Sequence, residues 1–287
     1  KPISMKNRLV VVAVSTITVA SSSAYLPLRA INHHHHRRRF QTQPHDPLQP
    51  TTASSSSSST TINNNNTNND DVDDTIIITE SSSPRTLVQK GMQSFRNYDV
   101  PKSLTYFNAA DSVTNGALKP YLWQRGITYY YLNEYKEGSS QFKLDVKYNP
   151  LDVEEIVWDI ACLTRLMTSD DNYAMQQNQP ILPTEQMMAL PKGKKDRRKI
   201  MSTVYSLFRN NENGVTEYDL RMAGHESKNS SDEFYSLFYL GLYCEIQNEP
   251  TKAEMYMKEA ATCAYATGNG IGDYMTSCAK VHCKLRG

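Results

Sequence analysis

The chain has 287 residues, and its 31 Lys and Arg residues nearly balance its 30 Asp and Glu residues, for a formal net charge of +1. A balance this even gives no overall attraction to nucleic acid or to an anionic membrane surface. Hydrophobic residues make up 39% of the chain. They are concentrated after residue 83, where about 200 residues are enough for one continuous core.

The first 24 residues have the pattern of a signal peptide. Met5 is followed by the basic residues Lys6 and Arg8, an apolar run over 9–20 and small residues over 21–24. A basic start, an apolar middle and small residues at a cleavage site are typical of a targeting signal. The apolar run is too short for a membrane-spanning helix, which needs about 20 residues.

Residues 25–83 have the composition of a disordered, low-complexity transit segment. They are rich in Ser, Thr, Asn, His and Gln and contain few acids before Asp71. Such a composition is typical of transit peptides, and it cannot bury enough apolar surface to fold. A signal peptide followed by a transit segment resembles the bipartite presequence of proteins sent to plastids of secondary endosymbiotic origin. A Phe usually follows the cleavage site in those presequences, whereas this chain has Tyr25, so simple secretion stays open as the alternative.

Two helical hairpins are predicted next, over 85–118 and 119–150. Apolar residues recur at helical spacing in both halves of each hairpin. The second hairpin ends before Pro150, because a residue that precedes Pro disfavours helical backbone. The four helices are predicted over 85–97, 101–113, 121–132 and 135–148.

A third, degenerate helical repeat is predicted over residues 151–209. Asp152 begins its first helix, and Glu155 follows three positions later in the spacing of a capping box. The Pro-rich stretch 168–193 predicts a surface loop with a short helix at 184–190, and a second helix follows over 196–209. A polar loop is predicted over 210–231.

A last hairpin is predicted over 232–266, with a capping helix over 272–285. Its two helices are expected over 233–247 and 251–266, and Gly268 and Gly270 end the second one. A terminal helix that covers the final apolar face is what a finite stack of repeats requires.

One spacing recurs in three of these hairpins. A small residue on the first helix lets the second helix approach closely, and a bulky apolar residue on the second helix fills the remaining gap. A period of roughly 34 residues is that of the tetratricopeptide (TPR) helix-turn-helix. The predicted fold class is therefore an all-α, TPR-like α-α superhelix, or solenoid, with a disordered N-terminal leader. The signature positions are Gly91, Ser103, Phe107 and Ala110; Gly126, Gly138, Phe142 and Pro150; and Gly241, Ala253, Met257 and Ala260.

The five cysteines do not predict a disulfide framework or a metal site. Their number is odd and their spacing irregular, which favours a reducing compartment. No CxxC motif occurs, and Cys278 and Cys283 are too far out of phase to share one helical face.

Candidate catalytic groups have simpler structural interpretations. His282 and Cys283 are adjacent, but neighbouring helical residues point about 100° apart, so they form no preset nucleophile and base. The glycines of 268–272 follow no strand, and a helix stop explains them. We predict no catalytic residue, no cofactor and no enzymatic activity. A carboxylate cluster interpreted mainly as capping residues comprises Asp145, Asp152, Glu154, Glu155 and Asp159.

Several ordered blocks of the chain resemble one family. Residues 121–126, 137–158, 196–208, 234–245 and 273–283 look like a group of plastid TPR proteins of plants and algae, with relatives in cyanobacteria. The resemblance covers roughly 85–287. It implies the repeat fold and a plastid compartment, with the stroma as the expected location, and it assigns no enzymatic role.

In TPR arrays the first helices of the repeats line a concave surface. The resemblance therefore implies a mixed aromatic and polar groove that binds a protein or peptide partner, without the Lys and Asn clamp of chaperone-binding domains. The groove residues are Gln89, Arg96, Trp123, Gln124, Tyr130, Tyr131, Phe238, Tyr239 and Glu245. For Trp123 and the tyrosines, packing between helices is the alternative.

The expected function is a non-catalytic scaffold or adaptor in a plastid that assists assembly or maintenance of a photosynthetic complex. A secreted or endomembrane TPR protein is one alternative, and it predicts glycosylation of Asn229 in its Asn-Ser-Ser sequence. An RNA-associated plastid factor is the other. It would use the basic stretch 192–199, although no aromatic residue is interleaved there for base stacking.

Overall fold

A computed structural model describes residues 83–168 and 184–287 of the chain. The predicted signal peptide, nearly all of the transit segment and most of the predicted loop at 168–193 lie outside the described residues. The described residues form helices and turns and no strands, which confirms the all-α prediction. Within these two ranges, no helix combines the length and the apolar character that crossing a bilayer requires.

The two described ranges contain eleven α-helices. These are α1 (Pro84–Arg96), α2 (Val100–Val113), α3 (Trp123–Tyr131), α4 (Tyr135–Tyr148), α5 (Val153–Thr168), α6 (Lys199–Phe208), α7 (Glu217–His225), α8 (Ser230–Ile246), α9 (Pro250–Thr262), α10 (Ala264–Thr267) and α11 (Tyr274–Arg286). Short 3-10 helices lie at Lys119–Tyr121, Thr184–Gln186 and Glu212–Gly214.

Side-chain caps fix the first residues of several helices. Ser83 accepts a hydrogen bond from the Thr86 amide at 3.1 Å, and Asp99 accepts one from the Lys102 amide at 3.1 Å. Each cap satisfies one of the amides that a helix start leaves without an intrahelical partner. At α8 the cap is Asn229, whose side chain accepts from the Ser231 amide.

The three hairpins α1/α2, α3/α4 and α8/α9 share one turn conformation. Each turn places a residue with positive φ at the same point: Tyr98 at 65°, Asn133 at 62° and Asn248 at 61°. Asn tolerates the left-handed region better than other side chains that have a Cβ atom. The three hairpins thus repeat in backbone geometry as well as in sequence.

Glycines on the first helices lie against bulky side chains of the second helices. A Cβ atom built on Gly91 would come within 2.9 Å of the Phe107 ring, and one on Gly126 within 2.6 Å of the Phe142 ring. On Gly241 it would come within 2.7 Å of the Met257 side chain. The two partners are 16 positions apart in all three hairpins, so the helices meet in the same register.

The remaining signature positions lie between helices or at a helix end. The Ser103 hydroxyl is 3.3 Å from that of Thr128, and a Cβ atom on Gly138 would lie 2.9 Å from the Cys162 sulfur. Pro150 is exposed just after α4. The small residues buried in the α2 and α9 contacts are Ala110, Ala253 and Ala260.

The expected polar loop at 210–231 contains α7, so that part of the prediction is wrong. Thr216 and Asp219 form a complete capping box: the Thr216 amide donates to Asp219 at 2.8 Å, and the Asp219 amide donates to Thr216 at 3.3 Å. Gly224 lets α7 approach α8, because a Cβ atom there would lie 2.4 Å from the Ser236 Cβ. The capping-box spacing was the available signal.

The core lies where the inner helices α1, α3, α5, α8 and α11 meet. Trp158 of α5 is 1% exposed, and its ring contacts Tyr130 of α3 at 5.1 Å and Phe238 of α8 at 6.1 Å between centroids. On the α1 side, Phe95 stacks on Tyr274 of α11 at 5.2 Å. The first and last helices of the described chain therefore share one aromatic interior.

We predict that Gly126→Ala destabilises the protein. Alanine gains about 1 kcal/mol of helix propensity over glycine. The new methyl group would collide with the fully buried Phe142 ring, and overpacking costs about 1–3 kcal/mol. Urea unfolding should therefore show a net loss of stability.

Gly272→Ala is the matched control, since no atom lies within 4 Å of the added Cβ atom. Its stability should change by less than about 0.5 kcal/mol. A Gly126→Ala protein more stable than the natural sequence would contradict the close contact.

Candidate functional site

The nine predicted groove residues do not line an open groove. Gln89 is exposed, and Arg96 and Trp123 are half-buried. The other six are buried, namely Gln124, Tyr130, Tyr131, Phe238, Tyr239 and Glu245. The expectation of an open concave surface at these positions therefore differs from the structure.

The reason is that α11 fills the space between the inner helices. The Arg96 Nε atom donates to Ser277 at 3.3 Å, although the two residues are 181 positions apart. The Trp123 ring meets Tyr274 edge-on at 5.4 Å. The Tyr131 hydroxyl donates to the Cys278 carbonyl at 3.4 Å. Six residues of α1, α3 and α8 that contact α11 are called the helix seat here: Phe95, Arg96, Trp123, Tyr130, Tyr131 and Glu245.

Phe238 and Tyr239 of α8 face α5, and Tyr239 also meets Phe208 of α6. Phe238 packs on Trp158 within the aromatic interior. The Tyr239 hydroxyl donates to Glu154 at 3.2 Å, and Glu154 also accepts from Arg198. These two predicted groove residues thus join α8 to α5 and to the start of α6.

A buried polar cluster holds the C-terminal half of α11 on the helix seat. The Tyr130 hydroxyl donates to Glu245 Oε2 at 2.7 Å. Arg286 Nε lies 3.4 Å from Glu245 Oε1, and His282 Nδ1 lies 3.8 Å from Oε2. The Tyr131 hydroxyl is 3.3 Å from the same His282 nitrogen. Burial of a carboxylate is favourable only when it is paired and hydrogen-bonded, and Glu245 meets both conditions.

Burial controls the ionisation of this cluster. It raises the pKa of Tyr130 well above its ordinary value, so the phenol stays protonated and can donate to Glu245. Burial lowers the pKa of His282, against the attraction of Glu245, so the imidazole is neutral at pH 7. Burial also raises the pKa of the Cys283 thiol. A neutral thiol is a weak nucleophile, which gives no support to a catalytic pair of His282 and Cys283.

The carboxylates near α4 and α5 are engaged in helix contacts. Asp152 accepts from the Glu154 amide at 3.0 Å as a cap, and Asp159 accepts from the Ser139 hydroxyl at 2.6 Å. Burial raises the pKa of Asp159 to about 6. Burial, with the nearby Glu155 carboxylate as a second cause, raises the pKa of Asp145 to about 9. Asp145 and Glu155 are both buried, at 2% and 3% exposure.

A network of polar side chains that was not predicted from the sequence places Asp145. Arg125 donates to the Gln141 side chain at 2.9 and 2.7 Å and to Asp111 at 2.9 Å. Gln141 in turn donates to Asp145 at 3.0 Å and to the Lys119 carbonyl at 2.8 Å. Arg125 and Gln141 are 16 positions apart, the same offset as Gly126 and Phe142, and that repeated offset could have identified the pair.

Glu217, Cys244 and Glu249 bring possible metal ligands within 4.8 Å of one another. Lys252 already lies 2.9 Å from Glu249 and 3.8 Å from Glu217. Burial raises the pKa of the Cys244 thiol to about 12. A metal needs the thiolate and would have to compete with the Lys252 ammonium, so the donor set fits a metal poorly.

The basic stretch 192–199 presents part of its charge to solvent. Lys194, Lys195 and Arg197 are exposed. Arg198 is held against Asp196 at 2.9 Å and against Glu154. The stretch is therefore less basic than its sequence indicates.

Comparison with protein-family models and with curated proteins finds no match to the chain. The family resemblance, the compartment and the function remain expectations from the sequence.

We predict that Asp145→Asn stabilises the protein at neutral and alkaline pH. The folded-state pKa of about 9 lies above the unfolded value near 4. The natural protein should therefore lose stability as the pH rises from about 4 to about 9. Asparagine keeps an oxygen that can accept from Gln141. It does not ionise, so the variant should not lose stability over this pH range from the group at position 145.

Urea unfolding at pH 5 and pH 8 measures the effect. The variant should gain at least about 1 kcal/mol relative to the natural protein between these pH values, since one pKa unit corresponds to about 1.4 kcal/mol. Glu137→Gln, on the exposed face of the same helix, is the control and should show little difference. An Asp145→Asn protein that is equally destabilised at both pH values would show that the carboxylate is not disfavoured in the fold.

Proposed function

We propose that the chain is a non-catalytic, TPR-like scaffold that binds a helical segment of a partner protein. The repeated hairpins support the TPR-like part of the proposal. Their glycine contacts share one offset, and their turns share one positive-φ position. Stacked helical hairpins of this kind typically present extended binding surfaces.

The seating of α11 is the observation that carries the proposal. The helix seat offers aromatic rings, hydroxyl groups and a paired carboxylate to one face of a helix. Tyr274 meets Phe95 and Trp123 there, while Ser277 and His282 meet polar groups. A surface that receives a helix of its own chain has the chemistry of helix-in-groove recognition.

A partner can approach at the rim of the seat, where residues of α1 and α3 stay partly exposed beside α11. Gln89, Met92 and Arg96 follow one another at helical spacing on one face of α1. Gln89 is exposed, and Met92 and Arg96 are half-buried, as is the neighbouring Trp123 of α3. We call these four residues the seat edge. Its mixture of apolar, aromatic and cationic groups suits a protein surface.

A plastid, and within it the stroma, is the proposed compartment, on the basis of the leader and the family resemblance. Assistance in the assembly or maintenance of a photosynthetic complex is the proposed process. Both rest on sequence and on association with the fold class.

For each of the two alternative functions, the residues that it would use are exposed in the structure. Asn229 is exposed where a secreted form would carry a glycan, although its side chain also accepts from the Ser231 amide as the cap of α8. RNA binding would use Lys194, Lys195 and Arg197, which face solvent. Salt-sensitive RNA binding that is lost when these three are neutralised would favour the RNA-associated factor.

We predict that a photo-crosslinking residue at position 89 captures a specific partner protein in plastids. Gln89 lies on the seat edge, two helical turns before Arg96. The same probe at Ser112, exposed on α2, is the matched control. Mass spectrometry should identify a partner peptide of helical pattern linked at 89 and absent at 112.

Substitution of Arg96 by Ala should weaken the link at 89, because it removes a cation of the seat edge. Equal capture at 89 and 112, or capture unaffected by the Arg96 variant, would contradict binding at the seat edge. Turnover of any substrate that is lost when Asp145 or His282 is changed would contradict a non-catalytic function.

A further inference from the structure

His282 is a buried base at the contact between α11 and the helix seat. Its side chain is 2% exposed, and its Nδ1 atom lies 3.3 Å from the Tyr131 hydroxyl of α3. The Tyr131 ring meets the imidazole edge-on at 6.0 Å between centroids. A recess of 160 Å³ borders the imidazole, so solvent protons have a route to it. The site therefore joins a titratable group to an interface between helices.

Charged and titratable groups surround His282 on the helices packed around α11. The Glu245 carboxylate lies 3.8 Å away, and it already accepts from Tyr130 and pairs with Arg286. Arg165 and Arg286 both oppose a positive charge on the imidazole. The groups are Arg96 (α1, beside the other half of α11), Tyr130 and Tyr131 (α3), Arg165 (α5), Glu245 (α8), Glu254 and Lys258 (α9), and Cys278, Cys283 and Arg286 (α11).

A proton on His282 would change these contacts unfavourably. An imidazolium donates from both ring nitrogens, so Nδ1 could no longer accept a hydrogen bond from Tyr131. The 3.8 Å distance to Glu245 is too long for a hydrogen bond. His282 and Arg286 are four positions apart on one face of α11, where like charges repel. Burial, with the two guanidinium groups as further causes, lowers the pKa of His282 in spite of Glu245.

We propose that acidification loosens the C-terminal half of α11 from the helix seat by protonating His282. Away from the seat the imidazole regains its ordinary pKa of about 6.5. The folded-state pKa is lower, so the seated form binds the proton less well than the released form. The contribution to seating is therefore complete above about pH 6.5 and is lost as the pH falls towards the folded-state pKa. This response belongs to α11 itself and does not depend on a partner at the seat edge.

Hydrogen exchange of the full chain, followed by mass spectrometry at pH 7.5 and pH 5.5, measures the proposed opening. Protection factors remove the direct effect of pH on amide exchange. Protection over 278–286 should fall between about twofold and about tenfold at the lower pH, since opening is coupled to one proton taken up near pH 6.5. Protection over α2, which contains no histidine, should not change. A fall in α11 of less than about twofold would contradict the proposal.

The contact between α4 and α5 is a control of opposite sign. Asp159 is fully buried there, and burial raises its pKa to about 6. Acidification therefore favours this contact, and protection of α4 and α5 should stay equal or rise. Equal loss of protection in α5 and α11 would show acid unfolding of the whole domain and would overturn a response that is local to α11.

His282→Gln removes the ionisable group and keeps a polar side chain, so protection of α11 should change by less than about twofold between the two pH values. His225→Gln, at an exposed histidine of α7, is the matched control and should respond as the natural protein does. If circular dichroism shows that His282→Gln is unfolded, NMR titration of the imidazole in the natural chain decides the question. A His282 ring that is half-protonated at or above about pH 6.5, or an unchanged pH response in folded His282→Gln, would overturn the proposal.

Discussion

The contact between the first and the last described helix determines how the rest of this molecule is arranged. Phe95 and Trp123 enclose the Tyr274 ring, and Arg96 lies over the same ring at 5.6 Å. Because α11 occupies this position, the inner faces of α1, α3 and α8 become a core rather than an open surface. Aromatic packing of this kind contributes through both buried area and ring geometry.

This closure explains why polar groups are buried among the aromatic rings. Glu245 would be costly inside the protein without Tyr130, Arg286 and His282 around it. Their directional contacts also fix the position of α11 along the seat. The position of α11 should therefore depend on pH. Protonation of His282, whose pKa is lowered by burial, would add a buried positive charge near Arg286 and Arg165.

The local features of the fold could be predicted from the sequence, but the closure could not. Gly126 and Phe142 are in contact, and their helices are neighbours in the chain. Such a contact recurs at a fixed sequence offset, so it can be identified from the sequence. Phe95 and Tyr274 belong to helices at opposite ends of the described chain, and no repeat period connects them. For the same reason the sequence leaves packing between helices open for Tyr130 and Tyr131 but does not identify α11 as the helix that covers them. A loop was predicted where α7 lies, because the segment is polar and contains glycine. The capping box formed by Thr216 and Asp219 is the sequence signal for this helix.

The central claim is that α11 is seated against α1 and α3, and aromatic NOE spectroscopy of the full chain tests it most directly. We predict NOEs between the ring protons of Tyr274 and those of both Phe95 and Trp123, whose ring centres are 5.2 and 5.4 Å away. The contact between Phe95 and Tyr131, at 5.6 Å, is the internal reference. A spectrum that shows the Phe95–Tyr131 NOE but none from Tyr274 to Phe95 or Trp123 would contradict the closed interior.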